Sequence, residues 1–266
     1  MKPLSKTQDH PSNNKLIKKF LKEGSHFHHP SFSIDCVIFG FHENQLKILL
    51  LKMHHSKKWA LPGGFVGKDE DLDDAAHNIL KSRTGLTNIF LQQFHVFGSQ
   101  NREDPKYVNQ MLDFYNMNKK NHWLKKRFIT AGYYALVDYS RTFPQVDPFS
   151  SHCSWINLNE IPAMILDHKI IIDKALFTLR LQLIYQPIGL NLLPKKFTMR
   201  DIQSLYETIL NKKIDRRNFQ RKILSLKILK KLKEKKKGLP HKSPHLFKFD
   251  EKQYQIALNE GLKGSW

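Results

Sequence analysis

Along this chain the spacing of apolar positions changes character several times, and each change predicts an element. Polar residues dominate the start, where Leu16, Ile17, Phe20 and Leu21 form the main apolar group. That group predicts no more than a short amphipathic turn, because isolated helices of that length are marginal in water. Residues 1–29 are therefore expected to be a mobile basic leader. From residue 33 the pattern becomes strand-like. Segments 33–41 (SIDCVIFGF) and 46–53 (LKILLLKM) read as two strands turned at 42–45. A turn-rich stretch, 59–65 (WALPGGF), precedes a helical period over 72–83 that puts Leu72, Ala75, Ala76, Ile79 and Leu80 on one face. Gly85 ends that helix, since glycine tolerates the left-handed backbone a helix stop requires. Strands follow at 89–97 and 128–137. The polar stretch 101–126 between them reads as a long loop with a helical turn. A strand at 152–157 and a helix at 169–185 complete the series.

Pro187, Gly189 and Pro194 punctuate a boundary near 186–196. Beyond it, Thr198 can cap a helix running to residue 210, with Asp201 at the capping-box position. Asp215 can cap a second helix through about residue 226, whose inner stripe would be Ile214, Phe219, Ile223 and Leu226. Residues 229–249 read as a basic hairpin turned around 237–240. Helix, short turn, helix and hairpin is the order of a winged helix-turn-helix. The fold class is α+β, in four parts: leader 1–29, mixed α/β domain 30–186, winged helix 187–252 and tail 253–266. No internal repeat is visible.

Composition narrows the setting. Hydrophobic residues make up 40% and aromatics 11% of 266 residues, which suits a folded globular chain rather than a disordered one. No apolar run is long enough to span a membrane, and no secretory signal pattern occurs. Cys36 and Cys153 sit among apolar residues, as small buried groups of a reducing compartment do, so the cytoplasm is the expected location. His26, His28 and His29 lack acidic or thiol partners at ligand spacing, and no metal site is expected there. The net charge of +20 is unevenly spread. Residues 195–252 hold 19 Lys and Arg against 6 Asp and Glu, an excess that suggests a polyanionic partner.

The second helix of that basic unit is the expected recognition helix, carrying Arg216, Arg217, Asn218, Gln220, Arg221 and Lys222. Arg can bond guanine, and Asn or Gln adenine, in two-point fashion. Lys230, Lys231, Lys233, Lys235, Lys236 and Lys237 on the hairpin lack such directional chemistry and suit phosphate contact. A basic hairpin binding acidic protein or RNA is the alternative.

Residues 64–86 (GFVGKDEDLDDAAHNILKSRTGL), preceded by Leu61, Pro62 and Gly63, resemble the Nudix box, G-x5-E-x7-R-E-U-x-E-E-x-G-U. Gly64, Glu70, Leu80, Gly85 and Leu86 match at the family spacing. The resemblance implies a Nudix α/β/α sandwich. It also implies, for a hydrolase, helix carboxylates that hold divalent cations against a diphosphate. Here Asn78 replaces the Arg, Ile79 the first Glu, and Ser82 and Arg83 the paired carboxylates. A like charge at ~4 Å costs on the order of 4 kcal/mol at an effective dielectric of about 20, so Arg83 repels a metal ion. No catalytic residue, metal or cofactor is expected, and the chain is not expected to be an enzyme by the family mechanism. A ligand pocket beside the box would draw on Lys52, Trp59, Phe65 and Arg127. Asp167 and His168 read as a helix N-cap with a solvated neighbour, or as pocket lining.

Both ends together resemble the Nudix-related transcriptional regulators, a family that includes NAD-metabolism repressors and arabinose-responsive regulators. Residues 193–202 (LPKKFTMRDI), 215–219 (DRRNF), Arg221 and Lys222 carry that likeness in the second unit. The family implies an effector-responsive DNA-binding regulator whose Nudix part senses a sugar or an ADP-ribose-like metabolite. It implies a double-stranded operator; a homodimer is expected because it would set two copies of 216–222 in successive major grooves of a pseudo-palindrome, and no membrane partner is expected. The rivals are an active Nudix hydrolase of a nucleoside diphosphate derivative using loop acids, and a ligand-independent nucleic-acid-binding protein. Residues 101–126 are longer than the family core leads one to expect.

Overall fold

The hairpin is the spine of an eight-stranded sheet. In the computed structural model, which describes residues 5–6, 11–54, 56–87, 89–236 and 243–261, β2 spans His28–His42 and β3 Gln45–Met53. Glu43 and Asn44 both take positive φ, 50° and 56°, the paired left-handed conformation of a tight two-residue turn. β1 (Ser5–Lys6), β4 (Trp59–Ala60), β5 (Gly63–Gly67), β6 (Leu91–Phe97), β7 (Ile129–Val137) and β8 (Ser150–Asn157) complete the sheet. Its order is β1-β8-β3-β2-β7-β6, with β4 on β3 and β5 on β2. Ile34, Val37, Ile38, Phe39, Ile48, Leu49 and Leu50 are fully buried, so the central strands are covered on both faces and read as continuous apolar runs.

The chain divides into two units. The first comprises the described parts of Met1–Phe39, Lys47–Leu136 and Arg141–Ala175; the second those of Gly40–Leu46, Val137–Ser140 and Leu176–Trp266. In the first, α2 (Leu72–Thr84) buries Ala75, Ala76 and Leu80 and stops at Gly85, whose N–H donates to the Lys81 carbonyl. The part of α4 (His168–Tyr185) up to Ala175 follows the last strand.

Two expectations are corrected here. Within the leader, Pro11–Phe27 are not a mobile tail: they form a helix, α1, with Ile17 and Leu21 buried. Residues 101–126 are not a long loop either. They hold α3 (Pro105–Phe114), capped by the Asp104 carboxylate accepting from the Tyr107 N–H, and a 3-10 turn, Trp123–Lys125. The two segments share one small core of Ile17, Leu21, Val108, Met111, Leu112, Tyr115, Trp123 and Leu124. The indole N–H of Trp123 donates to the Leu21 carbonyl at 3.1 Å, and His122 Nε2 meets the same oxygen at 3.0 Å. Neither segment shows this alone, because each apolar stripe finds its cover about a hundred residues away in sequence, and tertiary packing rather than propensity holds such helices.

The second unit is a three-stranded sheet with helices. β9 (Phe197–Thr198), β10 (Leu229–Lys235) and β11 (His245–Phe249) pair in the order β10-β11-β9. α5 (Met199–Leu210) opens on the expected capping box: Thr198 Oγ1 accepts from the Asp201 N–H, and Asp201 accepts from the Thr198 N–H at 2.8 Å. α6 spans Arg216–Ser225, capped by Asp215. The expected turn of the hairpin, Lys237 included, lies outside the described residues. The tail is corrected too: Glu251–Glu260 form α7, capped by Asp250. The buried Tyr254 donates its hydroxyl to the Pro187 carbonyl at 2.7 Å. An amphipathic period this short gave little signal, and its anchor is again distant in sequence.

Candidate functional site

The Nudix-box turn is built by close backbone approach. β5 runs beside β2 with Asp35 opposite Gly63 and Ile34 opposite Gly64, and the Pro62 carbonyl accepts from the Cys36 N–H. A Cβ on Gly63 would stand 2.6 Å from the Ile34 carbonyl oxygen, so no side chain fits. Glu70, the acid retained from the motif, is held in place. One oxygen accepts from the Gly67 N–H at 3.1 Å, and the other from the Asn78 amide at 2.9 Å. Asn78 thus does by hydrogen bonding what the family's Arg would do by charge.

At the metal-ligand positions of α2 the chemistry is inverted. Ile79 packs against Gly64, and Ser82 donates to the Ile79 carbonyl. Arg83 donates to Asp147 at 3.0 Å, with side chains 14% and 13% exposed. Asp147 lies in the segment between β7 and β8, and the Gln145 N–H donates to the Arg83 carbonyl. Among the described residues Arg83 Nε and Asp147 Oδ1 are buried without a partner. Tyr107 of α3 is held above its ordinary pKa by burial and by the Asp147 charge. A divalent ion does not fit this set. Two of the three positions are non-ligating or neutral, the third is cationic, and Glu70 is already bonded at both oxygens.

A second polar cluster is buried beside the turn. Arg102, 2% exposed, donates to Asp35 at 2.5 Å and to Asp167 at 2.9 Å. His168 Nδ1 accepts from the Leu61 N–H at 2.9 Å, which leaves its proton on Nε2, 3.7 Å from Asp35. Burial lowers the His168 pKa, Asp35 opposes this, and Arg102 adds to it. Asp167 therefore turns its carboxylate to Arg102, and His168, expected as a solvated neighbour, is buried. Sequence reasoning missed Arg102, Asp35 and Asp147. Asp35 carried a signal, an acid inside an otherwise apolar strand, which demands a buried partner.

The four expected pocket residues are differently placed. Lys52 and Trp59 stand opposite each other on β3 and β4. Phe65 lies in an aromatic cluster, its ring centroid 4.9 Å from Trp123 and 5.2 Å from Phe128. Arg127 is exposed between the 3-10 turn and β7.

On α6 the two faces separate cleanly. Phe219 and Ile223 are buried, with Phe219 against Tyr206, while Arg216, Arg217, Asn218, Gln220 and Arg221 are exposed and Lys222 is half-buried. Asp215 accepts from the Asn218 N–H at 2.9 Å, and Arg221 donates to the Asn218 side chain. On the hairpin, Lys235 and Lys236 are exposed. Lys230, expected to face phosphate, pairs with Asp250 at 2.8 Å.

Comparison with known proteins agrees with both halves. The NUDIX domain family matches residues 29–178, and the NrtR DNA-binding winged helix domain family matches residues 189–249. The ADPR responsive transcriptional repressor NtrR of Acinetobacter baylyi is 27% identical over 242 residues, covering 88% of each chain. The ADP-ribose pyrophosphatase of Methanocaldococcus jannaschii is 35% identical over 98 residues, 35% of this chain and 56% of that one. In fold, the chain is similar to Shewanella oneidensis NrtR crystallised with a 27mer DNA (TM-score 0.66, 22% identity, 87% of this chain and 99% of that one). The chain belongs to the Nudix family, among the Nudix-related transcriptional regulators that join a Nudix domain to an NrtR-type winged helix.

Proposed function

We propose that this protein is a cytoplasmic, homodimeric DNA-binding transcriptional regulator whose Nudix domain senses an ADP-ribose-like metabolite without hydrolysing it. The observation that carries this reading is Arg83, paired with Asp147, at a position where the motif of a hydrolase has a metal-binding acid. A domain that keeps the turn and helix of a diphosphate site, but puts a cation where the metal belongs, retains binding and loses the activated water. Lys52, Trp59, Phe65 and Arg127 are the candidate effector contacts, Phe65 acting through the aromatic cluster it anchors. On α6, Arg216, Arg217, Asn218, Gln220, Arg221 and Lys222 read bases, and Lys235, Lys236 and Lys237 hold phosphates. The A. baylyi relative is described as ADPR-responsive, which favours ADP-ribose over a sugar.

The test starts with duplexes selected from a random pool. Anisotropy titrations then compare the selected DNA with and without ADP-ribose or arabinose. ADP-ribose is expected to change the DNA Kd by roughly 5- to 150-fold, the usual range of allosteric coupling. An unchanged Kd with both compounds sinks the sensor reading. Similarity to a pyrophosphatase over 98 residues keeps one rival specific. Turnover of ADP-ribose with Mg²⁺ or Mn²⁺, abolished by Glu70→Gln, would make the protein a hydrolase.

A further inference from the structure

We infer that α1, together with the inserted segment it packs on, forms a second duplex-DNA contact separate from the winged helix, gripping the phosphate backbone through Lys15, Lys18, Lys19 and Lys22.

The first observation is where the charge lies. Residues 195–252 account for +13 of the net +20. α1 has four lysines against one acid, Glu23, and residues 116–127 have five Lys or Arg and no acid. Outside these three stretches the chain is within one charge of neutral. The excess is thus confined to the winged helix and to the two segments that fold into one small core.

The second observation is geometric. Lys15, Lys18, Lys19 and Lys22 recur at i, i+3, i+4 and i+7, and all four are exposed. That spacing puts them on one face of α1. The opposite face is sealed by Ile17, Leu21 and Gly24, the last of which lets the Trp123 ring approach so closely that a Cβ would meet it at 2.6 Å. The helix cannot roll to hide its lysines. Like charges at these spacings destabilise a helix by a few tenths of a kcal/mol per pair, so the stripe does not serve the stability of α1. On the adjoining segment Lys120, Lys126 and Arg127 are exposed as well, while Lys119 is held by Asp113.

The spacing suits a duplex. Seven residues of helix advance about 10 Å, a length over which duplex DNA carries about six phosphate charges. A rigid line of cations matches that density better than a single strand, whose charges are sparser and mobile. The expected role is affinity and salt sensitivity, without base reading.

This inference shares its partner with the proposed function but not its site. The probe is a fluorescein-labelled 40-base-pair duplex of random sequence, titrated against the full chain over a series of salt concentrations. Converting the four α1 lysines to Gln is expected to weaken binding about tenfold or more near 0.1 M salt, and to lower the salt slope by up to about 3.6. A matched set elsewhere in the same unit, Lys47, Lys57, Lys68 and Lys81 to Gln, is expected to change the slope far less. Arg216→Ala with Arg217→Ala tests the winged helix by itself. Equal slopes for the α1 variant and the unaltered protein overturn the inference while leaving the winged-helix reading intact. Equal losses from both lysine sets reduce it to net charge and overturn it too. Tighter binding of a 40-nucleotide single-stranded RNA, lost with the same four lysines, would overturn the duplex assignment. If the unaltered protein binds no duplex, both readings fall.

Discussion

Gly63 shows how little freedom single positions have in the site. A methyl there would press on the Ile34 carbonyl and the Asp35 carboxylate, so one strand must move. Gly63→Ala is expected to cost about 1–3 kcal/mol of stability, measured by urea unfolding. Arg83→Gln leaves Asp147 as a shielded acid with no cation. For a pair this screened from water a loss of about 2 kcal/mol is expected, and Arg83→Met with Asp147→Leu should recover most of it. If Arg83→Gln unfolds like the unaltered chain, the pair has no structural role. His168 gives a pH dependence of definite sign. Its folded pKa is lowered, so as pH falls through about 6.5 the unfolded chain takes up a proton that the folded chain refuses, and stability drops. The loss levels off below the folded value. His168→Asn, which can still accept from Leu61, should flatten the fall in stability between about pH 7.5 and pH 5.5; an unaltered profile would remove His168 from the account. His122, lowered chiefly by burial, adds in the same direction. At this scale the box residues were legible because their spacing is fixed by one turn and one helix. The partners were not, since Arg102 reaches Asp35 and Asp167 across more than sixty positions each, and no local pattern marks a salt bridge of that kind.

Elements divide between those that announce themselves and those that borrow their stability. α5 was fully legible: Thr198 and Asp201 form their reciprocal cap within four residues, and the stripe Ile202, Leu205, Tyr206 and Ile209 is local. Thr198→Ala is expected to cost about 1 kcal/mol, read as a lower Tm. α1 is the opposite case. Its polar composition argued for a loose leader, and the structure answers with a buried anchor supplied by α3 and the Trp123 turn. Leu21→Ala should therefore destabilise the folded chain by about 2–5 kcal/mol, as a core truncation does. A change below a few tenths would return α1 to the status of a tail. The strands of the hairpin lie between these cases. Their interiors were plain, but β2 begins earlier than its apolar run because His28 pairs with Gly67, a contact set by register rather than by hydropathy.

For the molecule as a whole, the division of the chain does not coincide with the Pro-Gly punctuation near residue 187. The second half of α4, from Leu176, belongs to the winged-helix unit, and Arg180 there donates to the Ile209 carbonyl at the end of α5, at 2.7 Å. A fragment starting at residue 176 should accordingly show a higher Tm than one starting at 187; the reverse order would place the unit's true start at the prolines. Among the described residues no helix is long and apolar enough to cross a membrane. The shared core of α1 and the inserted segment also has a bearing on descent. Each covers the other's oily side, so a chain that acquired one without its counterpart would present Ile17 and Leu21, or Trp123 and Leu124, bare to water. Gain or loss of the two pieces should travel together through the lineage, and compensating changes between Gly24 and Trp123 are where that bond would first be visible.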